Sequence, residues 1–323
     1  MDYSKLEAKA AAREQFRGVW AAITTPFTLD LNIDEAGLRQ NMRHLTDKLH
    51  VDGVFCTGAM GEFWSLTSQE RKRIVEIVVE EARGKCRVIA HTGHHAADET
   101  VDLTNHAQKA GADYVILMTP YYPFASEEMV YDWFSYVAQR TQIGIWLFDT
   151  VFSDRPAMSP ELFVRLAEQP NICGAKISRT IEHYVAVQKA VDGALVLSSP
   201  AESQFLMMIR EHGQRVHQSS ASPFLLQTAT SQRVRQYAEL ALDGRLDEAA
   251  QVSATLDPLR KVQHKWIMGD YHETGILPIA AIKAWSEMLG MAGGPVRTPL
   301  LQMNEERRTA MRAEIESSDL LDS

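Results

Sequence analysis

Lys176 closes the short apolar run Ile172-Cys173-Gly174-Ala175, the type of segment that forms a buried parallel strand. An ammonium at the end of such a strand loses its hydration, which lowers its proton affinity toward that of a neutral amine. A neutral lysine in a pocket is the nucleophile a Schiff-base enzyme uses on a carbonyl. Taken alone, the same residue also reads as a strand-end lysine whose head snorkels into water. The neighbouring segments decide between the two.

Those segments alternate apolar runs with amphipathic stretches from about Gly18 to about Gln227. Strands are expected at Val19-Ile23, Gly53-Thr57, Arg87-His91, Tyr114-Met118, Ile143-Phe148, Ile172-Lys176, Leu195-Ser198 and Arg215-Gln218. Between them, Leu38, Met42, Leu45 and Leu49 recur on one helical face. Thr67 and Glu70 have capping-box spacing, and Ser159-Pro160 pairs a cap residue with proline at the first helical position. This pattern predicts an α/β chain folded as a (β/α)8 TIM barrel over 18–229, with a doubly wound open sheet as the competitor. Residues 1–17 read as a polar N-terminal extension. Residues 230–323 read as a C-terminal helical domain, with helices around Asp247-His264, Ile276-Met291 and Asn304-Ser317.

In a barrel of this kind, functional groups sit at the C-terminal ends of strands and in the loops that follow. That rule selects Thr24-Thr25, Gly58 to Glu62 (including Ala59, Met60 and Gly61), Thr92 to His95, Thr119 to Tyr122, Phe148-Asp149, Lys176 to Ser178, Ser199 and His217 to Ser220. Ser178, Ser199 and Ser219 suit either binding of substrate oxygens or capping of the next helix. His91, His94 and His95 are rejected as a metal site, because no carboxylate stands at ligand spacing and the lysine already supplies the electrophile.

With 33 basic against 42 acidic residues, the formal charge of -9 argues against nucleic acid and gives no attraction to an anionic membrane. Cys56, Cys86 and Cys173 are scattered and read as reduced thiols, not disulfides or zinc ligands. The first residues lack the apolar core of a secretory signal, and no run is long enough to span a bilayer. A cytoplasmic location is expected.

The segments Thr25-Pro26-Phe27, Gly58-x-x-Gly61-Glu62 with Leu66-Thr67, Thr119-Pro120-Tyr121-Tyr122, Gly174-x-Lys176 and Gly293-Gly294-Pro295-Val296-Arg297 occur in one order along the chain. In that order they resemble the dihydrodipicolinate synthase and N-acetylneuraminate lyase family, over about Gly18 to about Leu301. The resemblance implies a class I lyase on a TIM barrel with a C-terminal helical domain, commonly a homotetramer, needing no metal or other cofactor. Lys176 would form an imine with a 2-oxo acid, and the protonated imine would act as the electron sink for carbon–carbon or carbon–oxygen cleavage. The Gly58–Gly61 loop would offer backbone N–H groups to the substrate carboxylate.

The chain departs from the family pattern at the proton relay. Phe148 stands twenty-eight positions before the lysine, where the family usually has tyrosine, and Ala59 and Met60 replace two hydroxyl residues. A standard dihydrodipicolinate synthase is therefore not expected. By the same resemblance, Tyr122 matches the second tyrosine of Pro-Tyr-Tyr and is a candidate acid or base, or a packing ring. Asp149 could orient a water or only end its strand. His217 occupies a place where the family usually has an aliphatic residue, and could titrate near neutrality or be structural. Thr25, Phe148, Gly58, Ala59 and Met60 complete the expected substrate-binding set. Met60, Phe63 and Trp64 make the loop bulkier, which suits an aldolase or hydratase-aldolase acting on a substrate with a bulky or aromatic tail. Glu62 is expected to bond loop N–H groups. The alternatives are non-imine hydrolysis or isomerisation using the histidines, and a non-catalytic keto- or sugar-acid binder.

Overall fold

Each expected apolar run becomes a strand in the computed structural model, which describes residues 1–120, 126–151 and 156–318. The strands are β1 (Gly18–Ala22), β2 (Gly53–Cys56), β3 (Arg87–His91), β4 (Tyr114–Met118), β5 (Gly144–Thr150), β6 (Ile172–Ser178), β7 (Val196–Ser198) and β8 (Val216–Ser220). All the pairings are parallel, and the spatial order is the sequence order with β8 placed beside β1. An open doubly wound sheet needs a point where strand order reverses. No such reversal occurs, so the barrel is the architecture and the competitor falls.

The barrel closes between β7 and β8 through side chains. Ser198 Oγ–H donates to Val216 O at 2.9 Å, and Ser198 Oγ accepts from Gln218 N at 2.9 Å. Gln214 Nε2 adds bonds to Ser199 O and Val216 O. These groups satisfy strand edges that would otherwise be buried without partners.

Helix α1 (Ala8–Gln15) precedes the barrel. Around the strands lie α2 (Glu35–Arg43), α3 (Ser68–Ala82), α4 (Ala97–Ala110), α5 (Glu127–Arg140), α6 (Pro160–Leu166), α7 (Ile181–Val191) and α8 (Glu202–His212). Beyond β8 come α9 (Ser222–Leu225), α10 (Arg233–Leu242), α11 (Leu246–Ala254), α12 (Asp257–Gln263), α13 (Asp270–Thr274), α14 (Ile279–Met288) and α15 (Glu305–Glu316). The Thr67–Glu70 capping box opens α3, and Ser159 caps α6 with Pro160 in its first turn. Helix α10 was not among the sequence expectations; its apolar face is Val234, Tyr237, Ala238 and Ala241, all buried.

Alternation along the strands sorts the core into two layers. Residues such as Val19, Val54, Val115, Leu147 and Ala175 pack outward on the helices. Trp20, Phe55, Ile89, Tyr114, Trp146, Phe148 and Val216 fill the interior. The first residues are more than a polar extension. Tyr3, Ala8, Ala12 and Phe16 join the interior layer, and the Phe16 ring lies 4.4 Å from that of Trp20 and 4.1 Å from that of Trp146. The N-terminal segment thus seals the end of the barrel opposite the strand C-termini.

Candidate active site at the barrel mouth

Strand β6 sets Lys176 beside Phe148 of β5 and Ser198 of β7. The side chain is only 5% exposed. Its Nζ donates to Ser219 O at 2.8 Å and lies 4.5 Å from the Phe148 ring centroid and 4.9 Å from that of Phe55. Among the described residues no carboxylate pairs with it. The two ring faces favour an ammonium weakly, but desolvation is the larger effect. Burial lowers the proton affinity to a pKa of about 7 from 10.5. The amine therefore has a large neutral fraction at physiological pH.

The loop after β2 is built from within. A Cβ on Gly58 would fall 2.4 Å from the Phe55 ring, so only glycine lets the chain pass over it. The N–H groups of Gly61 and Glu62 bond Gly58 O and Ala59 O, which closes the turn. These bonds occupy the N–H groups of Gly61 and Glu62, so neither is left to meet a substrate. Thr25, expected at the substrate, instead donates its hydroxyl to Gly61 O at 2.9 Å and braces the loop.

Glu62 has a positive φ of 57° and does not bond the loop N–H groups as expected. Its Oε1 meets Lys283 Nζ of α14 at 2.6 Å, and its Oε2 accepts from Arg297 N at 2.9 Å. The strap from Gly293 to Arg297 crosses here. Gly294, with φ of 70°, would place a Cβ 2.0 Å from Phe27 O, which explains the glycine. Met60 is half-buried and touches both core layers, while Phe63 sets its ring edge-on to His91 at 4.6 Å. Phe63 and Trp64 are half-buried.

Phe148 and Ser219 stand beside Lys176, the latter through its carbonyl; the Ser219 hydroxyl has no partner among the described residues. Ser178 ends β6 two residues beyond the lysine, on its face of the strand, and Ser199 follows β7 with its main chain held by Gln214. Two candidates are turned away. Asp149 follows inward-facing Phe148, so alternation directs it to the helices, where its oxygens meet Arg179 Nε at 2.9 Å and His183 Nε2 at 3.0 Å. His217 follows inward-facing Val216; its ring lies 5.5 Å from that of Phe205 on α8, and its Nε2 lies 3.0 Å from Ser220 Oγ. Burial, with a smaller contribution from the Lys176 charge, pushes His217 down to about 3. It stays neutral near pH 7 and is a poor acid or base there. His94 and His95 lie exposed on their loop. Tyr122 lies outside the described residues.

Two interior groups carry no site role in the sequence reading, although His91 was weighed there as a metal ligand and Gln218 lies within the selected His217–Ser220 stretch. His91 ends β3 in the same parity as interior Ile89, with Nδ1 3.1 Å from Thr57 O and Nε2 buried without a partner among the described residues. Gln218 follows Val216 at the same parity on β8 and is fully buried. Strand alternation, counted from the apolar residues, was the available signal for both.

A barrel with a buried lysine at its mouth, unpaired among the described residues, and helices beyond the last strand is the architecture of the aldolase-type lyases. The family profile for the dihydrodipicolinate synthetase family matches residues 15–318. A 4-hydroxy-tetrahydrodipicolinate synthase of Methanothrix thermoacetophila is 33% identical over 92% of this chain and 95% of its own. The Methanopyrus kandleri enzyme of the same name is 31% identical over 95% and 98%. Among solved structures, dihydrodipicolinate synthase from Aquifex aeolicus superposes with a TM-score of 0.81 at 28% identity, covering 94% of this chain and 99% of that one. YagE, a prophage protein from E. coli K12 in complex with pyruvate, gives 0.80 at 25% identity over 94% and 99%. The chain belongs to the dihydrodipicolinate synthetase family. Among the described residues, no helix is long and apolar enough to cross a membrane.

Proposed function

We propose that this chain is a lysine-dependent lyase that binds a 2-oxo acid as an imine at Lys176 and breaks a carbon–carbon or carbon–oxygen bond of a substrate with an apolar or aromatic tail. The observation that carries this reading is the solvent-shielded Nζ, held by Ser219 O and unpaired with any carboxylate among the described residues. With a pKa of about 7, about half of the amine is neutral at neutral pH, against about three in ten thousand for an unperturbed lysine. Attack of the Nζ lone pair on C2 yields a hydroxyl on that carbon, which leaves as water to give the imine. The protonated imine then accepts the electron pair of the bond that breaks.

Against the synthase reaction named for the relatives stand Phe148, Ala59 and Met60, none of which carries a proton. Met60, Phe63 and Trp64 support the bulkier substrate. Tyr122 remains the proposed acid and base, since Asp149 and His217 face the helices. A homo-oligomer, tetrameric by resemblance, is part of the same reading, and light scattering tests it. Phe148 alone favours a second reading, a keto-acid binder without turnover.

Borohydride reduction in the presence of pyruvate and larger 2-oxo acids, followed by peptide mapping, tests the imine. A mass adduct on Lys176 is expected. Folded protein that gives no adduct with any of them refutes the proposal, and an adduct without turnover selects the binder.

A further inference from the structure

Gln218 lies one residue before the carbonyl that holds Lys176 Nζ. Val216 belongs to the interior layer and His217 packs on Phe205, so the next side chain, Gln218, turns inward just where the register of β8 against β1 shifts, between His217 and Ser220. Its main chain is satisfied, with the N–H donating to Ser198 Oγ at 2.9 Å. Its side chain is not. The carboxamide is sealed from solvent, and neither Nε2 nor Oε1 has a hydrogen-bonding partner among the described residues. Thr24, which continues the inward series Trp20 and Ala22 on neighbouring β1, also buries a hydroxyl without such a partner.

Buried polar groups in folded proteins are almost always bonded, and one that is not calls for an explanation. An apolar side chain of similar shape would be at least as stable here, because no protein bond would be lost. The amide is therefore matched to something other than the fold. What arrives beside Nζ in the proposed reaction has the required character. Attack on C2 moves the carbonyl π pair onto oxygen, which takes a proton given up by the amine. The resulting hydroxyl both accepts and donates, as the carboxamide does.

We propose that Gln218 is a substrate-positioning residue, whose Nε2–H donates to the C2 oxygen of a 2-oxo acid and whose Oε1 accepts from the hydroxyl formed there. The proposal rests on imine formation at Lys176. Gln218 carries no proton itself; it fixes the direction in which the hydroxyl leaves, a task that the phenyl ring of Phe148 cannot perform.

The test compares wild type with Gln218→Leu and Gln218→Asn, reading melting temperature and the pyruvate dependence of borohydride trapping at Lys176. Gln218→Leu is expected to melt at or above wild type and to trap at least about tenfold less efficiently, the order expected for one lost buried bond to a ligand. Gln218→Asn, which retains both donor and acceptor, should recover part of the loss. Wild-type trapping by Gln218→Leu overturns the proposal. A clearly lower melting temperature for that variant also overturns it, by showing that the amide serves the fold. Absence of any adduct in wild type itself refutes the imine, and this assignment with it, whereas the other two results leave the imine standing.

Discussion

Lys283 Nζ sits 2.6 Å from Glu62 Oε1, and both side chains are closed to solvent. This pair joins α14 of the helical domain to the loop that follows β2. Lys283 also donates to Pro295 O at 2.8 Å and lies over the Phe27 ring, while Arg297 brackets the same ring and bonds Glu70. The Gly-x-x-Gly-Glu and Gly-Gly-Pro-Val-Arg motifs are thus two halves of one contact. Their distance in sequence conceals that they set the position of a single loop.

Breaking this contact from one side leaves a buried charge behind. Lys283→Met should destabilise the protein by roughly 3–5 kcal/mol, while the double variant with Glu62→Gln should recover a good part of it. Urea unfolding measures both. Burial already lowers the proton affinity of Lys283 despite the opposing carboxylate, so desolvation is a large component of this pair. A single variant within about 1 kcal/mol of wild type would show that the loop is held by something else.

Lys176 links reactivity to stability. Its folded pKa of about 7 lies below the 10.5 of an exposed lysine. Between those values the unfolded chain binds more protons than the folded one, so stability rises with pH across that window. Below it the full penalty of the buried amine applies. Lys176→Met should therefore be more stable than wild type by a few kcal/mol at about pH 6, with the gap narrowing toward about pH 9. The trapping rate in wild type should climb through about pH 7 and then level off. A gap independent of pH, or a rate still climbing near pH 10, would show an ordinary lysine.

Phe148→Tyr returns a phenol to the ring lying 4.5 Å from Nζ. Proton transfer by a placed group is commonly worth about a hundredfold or more. Without another carrier near the amine, the variant should form the pyruvate adduct at least about tenfold faster, measured by quenched trapping at a fixed subsaturating concentration. An unchanged or slower rate would assign proton transfer to Tyr122 or to water.

The apolar runs displayed the barrel because strands buried on both sides need little polar interruption, and all eight fall within two residues of the expected bounds. Lys176 was legible for the same reason: a charge ends an apolar run. Asp149 draws notice by adjoining a motif and His217 by its place in the family pattern, and neither criterion takes account of which way the strand turns the side chain. Each is one residue from an inward-facing neighbour, and in a strand one residue is the opposite face. Helix α10 was missed because its apolar stripe is short and interrupted by Arg233, Arg235 and Glu239. The N-terminal segment was misread by composition: its charges are real, but Ala8, Ala12 and Phe16 recur every fourth residue.

That spacing has an energetic consequence. Phe16 is almost wholly buried, with its ring within 4.7 Å of three interior aromatics, Trp20, Tyr114 and Trp146. The neighbours belong to β1, β4 and β5, so the ring holds distant parts of the barrel floor together. These large rings are braced by their own strands and cannot collapse into the space a smaller residue would leave. Phe16→Ala should cost roughly 3–5 kcal/mol, as for other buried phenylalanines. The site lies at the opposite end of the strands, so folded variant should still trap a 2-oxo acid at Lys176 with a dependence on ligand concentration close to wild type. Chemical denaturation read alongside trapping separates the two effects. A loss below about 1 kcal/mol would mean that the N-terminal segment is a covering and not part of the core.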